Sequence, residues 1–459
     1  MNTQELLKDI SQKEINYGCY DVRIGDISIY SLLRYSIRKM ILKRNGAAIM
    51  EPRQKVNNIA VFGSVLKSIK HLLYLLISHR HYSTVFCSFP RVDRIGNCFL
   101  DKFTDPLIEM ADFKNDYIIL DHGRAGVHPL PRLHHDKIIY IDFIAALSRS
   151  ISVLFWRFFY LKYRLKFKIL KTNIFSAFGV NIPLKYLAKN SYESIIEHKL
   201  LGILLNNLSA VRVIGPARSF MSKFFVVAHR HKIKSFELQH GVTYAETQLY
   251  SGYRDEMQMP DFFLAFGDNK PTDVYGIDEN RIVNIGWAFQ EYVAMLPFQE
   301  IYGENDILVV SDPEITDAIL DVVYKLAKDN PDKTFHFRPH PHEIISAEQL
   351  KMIDSKDNVK VQDKSINITV VLNSFKHILG ENSTVLYEAI AINKKVGRLF
   401  YDGLYPKYLE ESDKECFWEV HNQEDFEKFL EEDISTRRSK CIYSPFNKDL
   451  FRKIIGLES

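Results

Sequence analysis

Strand-like and helix-like segments alternate along most of the chain. From residue 82 onward, short apolar runs end in polar or glycine-containing loops and lead into segments whose apolar residues recur every three or four positions. The segment 307–400 is the most regular, and its predicted strands begin at Ile307, Thr334, Val359, His377 and Val396. Strands that alternate with helices are typical of a parallel sheet covered on both faces. The pattern therefore predicts an α/β protein.

The pattern also divides the chain into domains. A length of 459 residues exceeds what one hydrophobic core supports, so two domains with extensions are expected. Residues 1–55 are predicted to form an N-terminal helical extension, and residues 56–300 a first α/β domain. An aperiodic tract follows Pro297, so residues 301–440 form a second α/β domain. Residues 441–459 predict a C-terminal helix that packs back on the first domain.

Polar side chains lie at the ends of two predicted strands in the second domain. The strand from Thr334 runs into the sequence RPHP, where two prolines prevent a helix and leave a cation and two imidazoles at the strand end. The cation is Arg338, and the imidazoles belong to His340 and His342, on either side of Pro341. The strand from His377 runs into a polar turn that contains Glu381, Asn382, Ser383 and Thr384. Since nucleotides bind at the carboxyl ends of strands in an open parallel sheet, the two segments predict a nucleotide site.

Ser383 and Thr384 stand at the start of an apolar-periodic helix. The free N–H groups and the positive dipole end of a helix N-terminus bind anions, and two hydroxyls add donors for phosphate oxygens. Glu388, one turn further along, can reach a sugar hydroxyl. The alternative is an ordinary N-cap with Glu388 on a solvated face. The nearby RPHP sequence favours phosphate binding.

A zinc site is the competing interpretation of the same histidines. His336, His340 and His342 with Glu343 offer imidazole and carboxylate ligands, because alternate positions of a strand share a face. The spacing crosses two prolines and brings no cysteine or second carboxylate. We therefore expect no metal at this site.

The first domain contains a histidine at the end of another predicted strand. The sequence Gln239-His240-Gly241 ends the strand IKSFEL, and Gly241 allows a sharp turn there. Because imidazole titrates near neutrality, His240 is a candidate general base or phosphate ligand, and a structural role is the alternative. Asp93 and Asp101 follow a predicted strand and are candidate catalytic groups, although loop aspartates more often cap helices or shape turns.

Residues 143–192 form an insertion with a distinctive composition. No acidic residue occurs between Asp142 and Glu193, whereas lysines, arginines and aromatic residues interleave throughout. A basic, aromatic helix suits the headgroup layer of an anionic membrane, which predicts peripheral contact through residues 149–171. The alternative is a buried helix whose long cationic side chains extend to solvent.

Composition excludes several classes of protein. The net charge of +3 is small and no nucleic-acid-binding signature is found, so a nucleic-acid partner is not expected. Five scattered cysteines without a CxxC pair indicate a reducing compartment. The polar start of the chain predicts no secretory signal, and the apolar run from Ile59 to Ser78 is interrupted by Lys67, Lys70 and His71, which argues against a membrane span. A cytoplasmic protein is expected.

The order of these motifs resembles a known group of enzymes. QHG, FGD, VNIGWAFQEY, RPHP and ENSTVLYEAIAINKKV, over about residues 235–400, are similar to GT-B glycosyltransferases that build capsules, lipopolysaccharide and O-antigen. The closest resemblance is to the group of bacterial sialyl- and Kdo-transferases and CDP-glycerol glycerophosphotransferases. This resemblance implies a GT-B fold, with two Rossmann-like domains facing across a cleft. It also implies metal-independent transfer from a nucleotide-activated sugar to a glycan or glycolipid acceptor.

The resemblance suggests roles for individual residues. His340 and Pro341 match an HP motif whose histidine contacts the donor phosphate, and Ser383 and Thr384 match a serine-threonine motif that holds phosphate oxygens. His240 matches a histidine placed where a base is needed. No acidic motif of the sialyltransferase kind aligns, and the QHG here lacks the tryptophan and Thr-Pro of the glycerophosphotransferases. The first departure leaves Asp93 only as a candidate base. The second weakens the alditol-phosphate interpretation, so a CMP-linked ulosonic acid is the favoured donor. A CDP-alditol phosphotransferase and a non-catalytic nucleotide- or sugar-binding protein are the alternatives.

Overall fold

A computed structural model describes most of the chain. It covers residues 3–46, 57–90, 92–241, 250, 252, 255–267, 276–296, 302–312, 315–340, 343–363, 365–406, 411–433 and 443–457. The chain folds as two compact units. Unit 1 comprises Met1–Ala265, Lys270–Val283 and Lys448–Ser459, and unit 2 comprises Phe266–Asn269 and Asn284–Asn447.

The secondary structure alternates between strands and helices in both units. The strands are β1 (Arg23–Ile24), β2 (Ile27–Ser28), β3 (Thr84–Cys87), β4 (Asp93–Ile95), β5 (Cys98–Leu100), β6 (Tyr117–Asp121), β7 (Ile138–Tyr140), β8 (Arg212–Pro216), β9 (Lys234–Leu238), β10 (Phe262–Ala265), β11 (Ile282–Asn284), β12 (Asp306–Val310), β13 (Thr334–Arg338), β14 (Val359–Val361), β15 (His377–Gly380), β16 (Lys395–Leu399) and β17 (Trp418–Val420). The helices are α1 (Thr3–Asn16), α2 (Ile29–Arg44), α3 (Asn58–Ser78), α4 (Asp105–Ala111), α5 (Asp142–Phe178), α6 (Leu184–Asn207), α7 (Arg218–His231), α8 (Ala288–Ala294), α9 (Thr316–Asp329), α10 (Ala347–Asp354), α11 (Ile368–Ser374), α12 (Thr384–Ala391), α13 (Gln423–Glu431) and α14 (Lys448–Ile454).

The main sheet of unit 1 has the strand order β7-β6-β3-β8-β9-β10-β11. Neighbouring strands from β7 to β10 pair in parallel. Both faces are covered: Val85 and Cys87 of β3 join one apolar core, whereas Phe86 between them packs edge-on against Phe113. Numbered along the sheet's own strands, this order is 3-2-1-4-5-6-7. It is the doubly wound order of a Rossmann fold, extended by one strand, and its switch point lies between β3 and β8.

The sheet of unit 2 has the order β14-β13-β12-β15-β16-β17, and all of its strands are parallel. This is the Rossmann order 3-2-1-4-5-6, with the switch point between β12 and β15. Side chains of Ile307, Val309, Phe335 and Phe337 form the core on one face, because alternate residues of a strand point the same way. The prediction of two Rossmann-like α/β domains is confirmed.

Helices α5 and α6 form the segment that the sequence marked as a basic and aromatic insertion. Helix α5 has 37 residues and bends at Tyr163, whose φ of −117° and ψ of 21° leave the helical region. Its second half is anchored by Phe167, Leu170 and Ile174, which pack against α1, α2 and α6. Around and before the bend, Phe158 and several neighbouring apolar side chains are exposed. The predicted membrane contact of residues 149–171 stays a prediction.

Within the part of the chain that the structure describes, two helices are long and apolar enough to cross a membrane, judged by length and composition alone. They are α3 and α5, and only 17% of the most apolar window of each is buried. Core helices of soluble proteins are mostly buried, so this amount of exposed apolar surface is unusual. The three charged or polar residues that interrupt α3 do not prevent it from presenting an apolar surface.

The C-terminal segment contributes to both units. Helix α14 contacts α4 in unit 1, where Phe451 packs against Phe113 and Arg452 donates hydrogen bonds to the carbonyls of Ala111 and Asp112. The preceding residues belong to unit 2, where the Trp287 N–H donates to the carbonyl of Ser444.

Candidate functional site

The candidate nucleotide site lies at the carboxyl edge of the unit 2 sheet, where β12, β13 and β15 end side by side. Strand β12 pairs with β13 on one side and with β15 on the other, so the loops after these strands meet at the switch point. Gly380 ends β15, and a Cβ atom there would lie 3.2 Å from the Val310 carbonyl oxygen. A larger residue would press on β12, so glycine allows close packing at this edge.

Glu343 joins the loops that follow β12 and β13. Its buried carboxylate accepts hydrogen bonds from the hydroxyls of Ser311 at 3.0 Å and Thr316 at 2.6 Å, and from the backbone N–H of His340 at 2.7 Å. Thr316 begins α9, so one carboxylate ties together two strand ends and a helix start. Sequence reasoning considered Glu343 only as a metal ligand, and it missed Ser311 and Thr316, which follow the apolar run ILVV.

Arg338 is placed as a support for a neighbouring loop. Its side chain is buried and donates to the carbonyls of Asp363 and Ile366, in the loop after β14. Burial lowers the pKa of its guanidinium, and the carboxylate of Asp363 acts in the opposite direction. Arg338 therefore holds the loop after β14 in place at the edge of the candidate site, while its own side chain stays buried.

His340 lies half-buried in the loop after β13, where its backbone is held from both sides. Its N–H donates to Glu343, and its carbonyl accepts from the N–H of Glu343 at 2.9 Å. Pro341 and His342, the other predicted members of this loop, lie outside the described residues.

The polar turn after β15 has the predicted form of a helix start. The Ser383 hydroxyl caps α12 by accepting from the Val385 N–H at 3.3 Å. Thr384 is the first residue of the helix and is exposed, while Asn382 and Glu388 are half-buried. These residues can offer hydroxyl, amide and backbone donors to an anion, with a carboxylate one turn away.

A second carboxylate lies beside this turn. Glu381 is buried and its Oε1 accepts from the Tyr405 N–H at 2.7 Å. Burial, and then the negative charge of Asp312 at the end of β12, raise the pKa of Glu381 above its ordinary value. Carboxylates at this edge can accept hydrogen bonds from sugar hydroxyls.

Two residues of the alternative zinc site have other partners. His336, in the middle of β13, pairs with Asp306 at 2.7 Å, whereas Glu343 binds the two hydroxyls and the backbone beyond the carboxyl end of the strand. His342, another member of that site, lies outside the described residues. Within the described residues, no group of three or more histidine, cysteine or acidic side chains is placed to hold a metal ion.

In unit 1, His240 lies at the carboxyl end of β9 between two aromatic rings. Its imidazole packs against Phe89 at 4.6 Å and Phe103 at 5.2 Å, measured between ring centroids. The Gln239 amide donates to the Gly241 carbonyl at 2.9 Å, and Gly241 has a φ of +147°, so the turn after His240 depends on glycine. Loops from β3 and β9 thus meet around this histidine.

Asp101 holds the loop that carries those two rings. Its carboxylate is fully buried and accepts from the backbone N–H groups of Phe89 at 2.7 Å and Phe103 at 2.9 Å, and from the Thr104 hydroxyl. Burial raises the pKa of Asp101. Asp93 lies half-buried on the hairpin of β4 and β5, opposite Leu100. Of the three predicted catalytic residues, the structure therefore brings His240 and Asp101 into one assembly.

A further charged cluster occupies the carboxyl ends of β6 and β7. As an imidazolium, His128 donates from both ring nitrogens, from Nδ1 to Asp121 at 2.5 Å and from Nε2 to Asp142 at 2.9 Å, and its ring stacks on Tyr140. Burial alone would lower the pKa of His128, but the two carboxylates outweigh it and raise the pKa to about 9. The motifs in the sequence do not predict this cluster, because His128 reaches it through the loop after β6.

Comparison with solved structures identifies proteins of similar fold. The chain is similar to a putative UDP-N-acetylglucosamine 2-epimerase from Listeria monocytogenes, with a TM-score of 0.52 and 9% identity over 82% of this chain and 98% of that one. It is also similar to UDP-GlcNAc 2-epimerases from Neisseria meningitidis, bound to UDP-GlcNAc, and Methanocaldococcus jannaschii. Each has a TM-score of 0.50 and matches 82% of this chain. The Neisseria protein is 12% identical and 99% of its chain is covered, and the Methanocaldococcus protein is 13% identical and 100% of its chain is covered. The chain has the GT-B fold.

The GT-B fold was predicted, and this prediction is confirmed. No protein-family model matches the chain, and no curated protein matches it in sequence. At identities near a tenth, shared structure establishes the fold and leaves the reaction open. The similar structures named above carry the name of an epimerase and share the fold alone, so the narrower resemblance to sialyl- and Kdo-transferases remains a prediction.

Proposed function

We propose that this GT-B protein is a glycosyltransferase that moves a sugar from a nucleotide-activated donor to a glycan or glycolipid of a bacterial surface polysaccharide or lipopolysaccharide. The observation that carries the proposal is the carboxyl edge of the unit 2 sheet. There Glu343 joins two loops next to the Ser383 helix start, at the switch point where α/β sheets bind nucleotides. The solved structures of similar fold include one bound to UDP-GlcNAc, which supports a nucleotide-sugar ligand.

We assign the donor phosphates to the start of α12 and the loop after β13. Ser383, Thr384 and His340 supply hydroxyl, backbone and imidazole donors, and the helix dipole adds positive potential. Glu381 and Glu388 accept from sugar hydroxyls. These protein groups stabilise the charge that develops on the leaving phosphate without a metal, so a chelator is expected to leave turnover unchanged.

The identity of the donor rests on two separate arguments. The motif resemblance favours a CMP-linked ulosonic acid, whereas the names of the structurally similar proteins point to UDP-linked N-acetylhexosamines. A CDP-alditol donor follows from the glycerophosphotransferase part of the resemblance. All three candidate donors release a nucleotide whose phosphate or diphosphate would bind at the same helix start. The nucleotide that the protein binds therefore distinguishes between the donors.

A panel of CMP, CDP, UDP, GDP, dTDP and ADP in a thermal-shift or calorimetric assay tests the proposal. A nucleotide present at a hundred times its Kd adds about 2.7 kcal/mol to the free energy of unfolding. Stabilisation by CMP but not by CDP supports the ulosonic-acid donor, and stabilisation by both supports a CDP-alditol donor, whose transfer of alditol phosphate also releases CMP. Selective stabilisation by UDP supports a hexosamine. If no nucleotide stabilises the protein, the proposed site is structural and the proposal fails.

The matched variants are His340→Ala and, as a control, His421→Ala, an exposed histidine of the same unit. Loss of a charge-assisted contact to phosphate is expected to weaken nucleotide binding by about 1.5–3 kcal/mol in His340→Ala. His421→Ala should bind as the wild type does. Equal affinity in both variants would remove His340 from the site.

We propose His240 as the base that takes the proton of the acceptor hydroxyl, with Asp101 as a positioning residue and Asp93 as the second candidate base. His240→Ala should reduce turnover by about a hundredfold or more while nucleotide affinity stays nearly constant. Asp101→Asn should shift the NMR signals of the His240 ring, since Phe89 and Phe103 move with their loop. Full turnover in His240→Ala would transfer the role to Asp93.

Slow hydrolysis of the donor without acceptor separates this function from the non-catalytic alternative, because a simple binding protein does not release the sugar.

We also propose that residues 149–171 make peripheral contact with the cytoplasmic face of an anionic membrane, where a glycolipid acceptor resides.

A further inference from the structure

Helices α3, α5 and α6 of unit 1 surround an apolar groove. The groove has a volume of about 340 Å³, and its lining is apolar except for Asn207. Its walls include Leu72 and Leu76 of α3, Leu147 of α5, and Ile203 and Leu204 of α6. An apolar cavity of about 150 Å³ is enough to bind benzene, so this groove has room for a larger hydrocarbon.

Exposed apolar side chains continue outward from the groove along both long helices. On α3, Ile59 is 83% exposed and Ile77 is 77% exposed, and on α5, Leu154 is 69% exposed and Phe158 is 71% exposed. At the groove itself, Leu76 and Ile203 are more than half exposed. Large apolar side chains exposed in this number on two helices indicate an interaction site.

The positive charge of α3 and α5 indicates which kind of partner can bind at the groove. Helix α3 contains Lys67 and Lys70 and no acidic residue, and α5 has no acidic residue after Asp142. Arg157, Lys162 and Arg164 of α5 are exposed. Apolar side chains flanked by exposed positive charge complement an anionic lipid surface, whereas a second copy of the same basic face would be repelled.

We propose that this groove binds one acyl chain of an anionic membrane phospholipid, while the exposed apolar residues of α3 and α5 enter the headgroup layer. The proposal deepens the membrane contact that is part of the proposed function, and it adds a second helix, a lipid class and a site for the chain. Lys67, Lys70 and the basic residues of α5 contact the phosphates around that lipid.

Vesicle binding provides the first test. The full chain is sedimented with phosphatidylcholine vesicles that either contain or lack phosphatidylglycerol. Binding is expected only with the anionic lipid and is expected to weaken at high salt. Leu76→Glu and Ile203→Glu place a charge on exposed groove positions without disturbing the core, and each should weaken binding by about tenfold or more. Ile344→Glu, an equally polar change at an 88% exposed residue of unit 2, should bind as the wild type does.

Cross-linking identifies the occupant of the groove. Phosphatidylglycerol with a photoreactive group within one acyl chain should attach to peptides that contain Leu147 or Ile203. Attachment confined to Phe158 and its neighbours would show that the protein docks on the bilayer without a chain in the groove, which overturns the proposal. Equal binding to neutral vesicles, or none to either, would also overturn it.

The nucleotide panel is repeated on Leu76→Glu to keep the two proposals separate. Retained nucleotide stabilisation with lost vesicle binding supports a lipid site distinct from the donor site. If the wild type binds vesicles but no nucleotide, the glycosyltransferase proposal fails and the lipid site stands.

Discussion

Buried carboxylates order the loops at the carboxyl edges of both sheets. Glu343 gathers donors from two loops of unit 2, and Asp101 gathers donors from the loops around His240 in unit 1. Asp121 and Asp142 hold His128 between them. A buried charge must be fully hydrogen-bonded, so each carboxylate places several backbone and side-chain groups at once.

Replacement of Glu343 by glutamine tests this role in unit 2. The amide NH₂ would either oppose the His340 N–H, or face the hydroxyls of Ser311 and Thr316, which would have to turn and accept from it. In both cases a charged acceptor of three hydrogen bonds is lost. We expect a loss of about 1–3 kcal/mol in the free energy of unfolding, measured by urea denaturation, together with weaker nucleotide binding. The exposed Glu431→Gln serves as the control and should unfold as the wild type does. A stable Glu343→Gln variant with full nucleotide affinity would contradict the assignment.

His128 makes stability depend on pH in unit 1. Because its pKa is raised from the ordinary 6.5 to about 9, its contribution is fully present below pH 6.5 and is lost as the pH rises through about 9. The free energy of unfolding should therefore fall over this range in the wild type. In His128→Gln the fall should be smaller, whereas the exposed His135→Gln should follow the wild type. Parallel curves for the wild type and His128→Gln would disprove the coupling.

At the level of elements, the apolar periodicity located most strands, while short or interrupted ones escaped it. Each predicted strand start in unit 2 lies within or beside an observed strand, but β17 was missed. Its three residues, Trp418–Val420, contain a glutamate and are too short to show a pattern. The hairpin of β4 and β5 was likewise predicted as a loop, since each of its strands has three residues.

Close packing between elements also depends on single glycines. Gly286 follows β11 with a φ of +74°, and a Cβ atom there would collide with the carbonyl oxygen of Pro445. Gly286→Ala should therefore lower the free energy of unfolding by more than about 2 kcal/mol in chemical denaturation. Gly63→Ala is the matched control, because Gly63 lies within α3 with open space around it, and this change should stabilise the protein by about 0.5–1 kcal/mol. Similar losses in both variants would mean that the close approach is not responsible.

At the scale of the whole molecule, the two units repeat one architecture and carry different surfaces. Both sheets have the Rossmann order, and each gathers polar groups at its carboxyl edge. Unit 2 presents the helix start at Ser383, which suits a phosphate. Unit 1 presents His240 and the apolar groove. The proposed function therefore divides its tasks between the units.

Hydrogen exchange tests this division. A saturating nucleotide that stabilised the protein in the panel should slow amide exchange at Glu343 and at Ser383–Leu386 in unit 2. Amides of 354–358, at the opposite edge of the same sheet, should exchange at an unchanged rate, as should those of β3 in unit 1. Protection centred on unit 1 would place the nucleotide elsewhere and contradict the donor assignment.

The sequence by itself determined the alternation of strands and helices, the class of fold and the helix start at Ser383. These features depend on local periodicity and on capping, which neighbouring residues carry. Only the tertiary structure decided that Arg338 turns to backbone carbonyls, that Asp101 is buried and that Glu343 and His128 join separate loops. It also decided which faces of α3 and α5 stay exposed. Such features depend on contacts between residues far apart in the chain, and the folded packing alone brings those residues together.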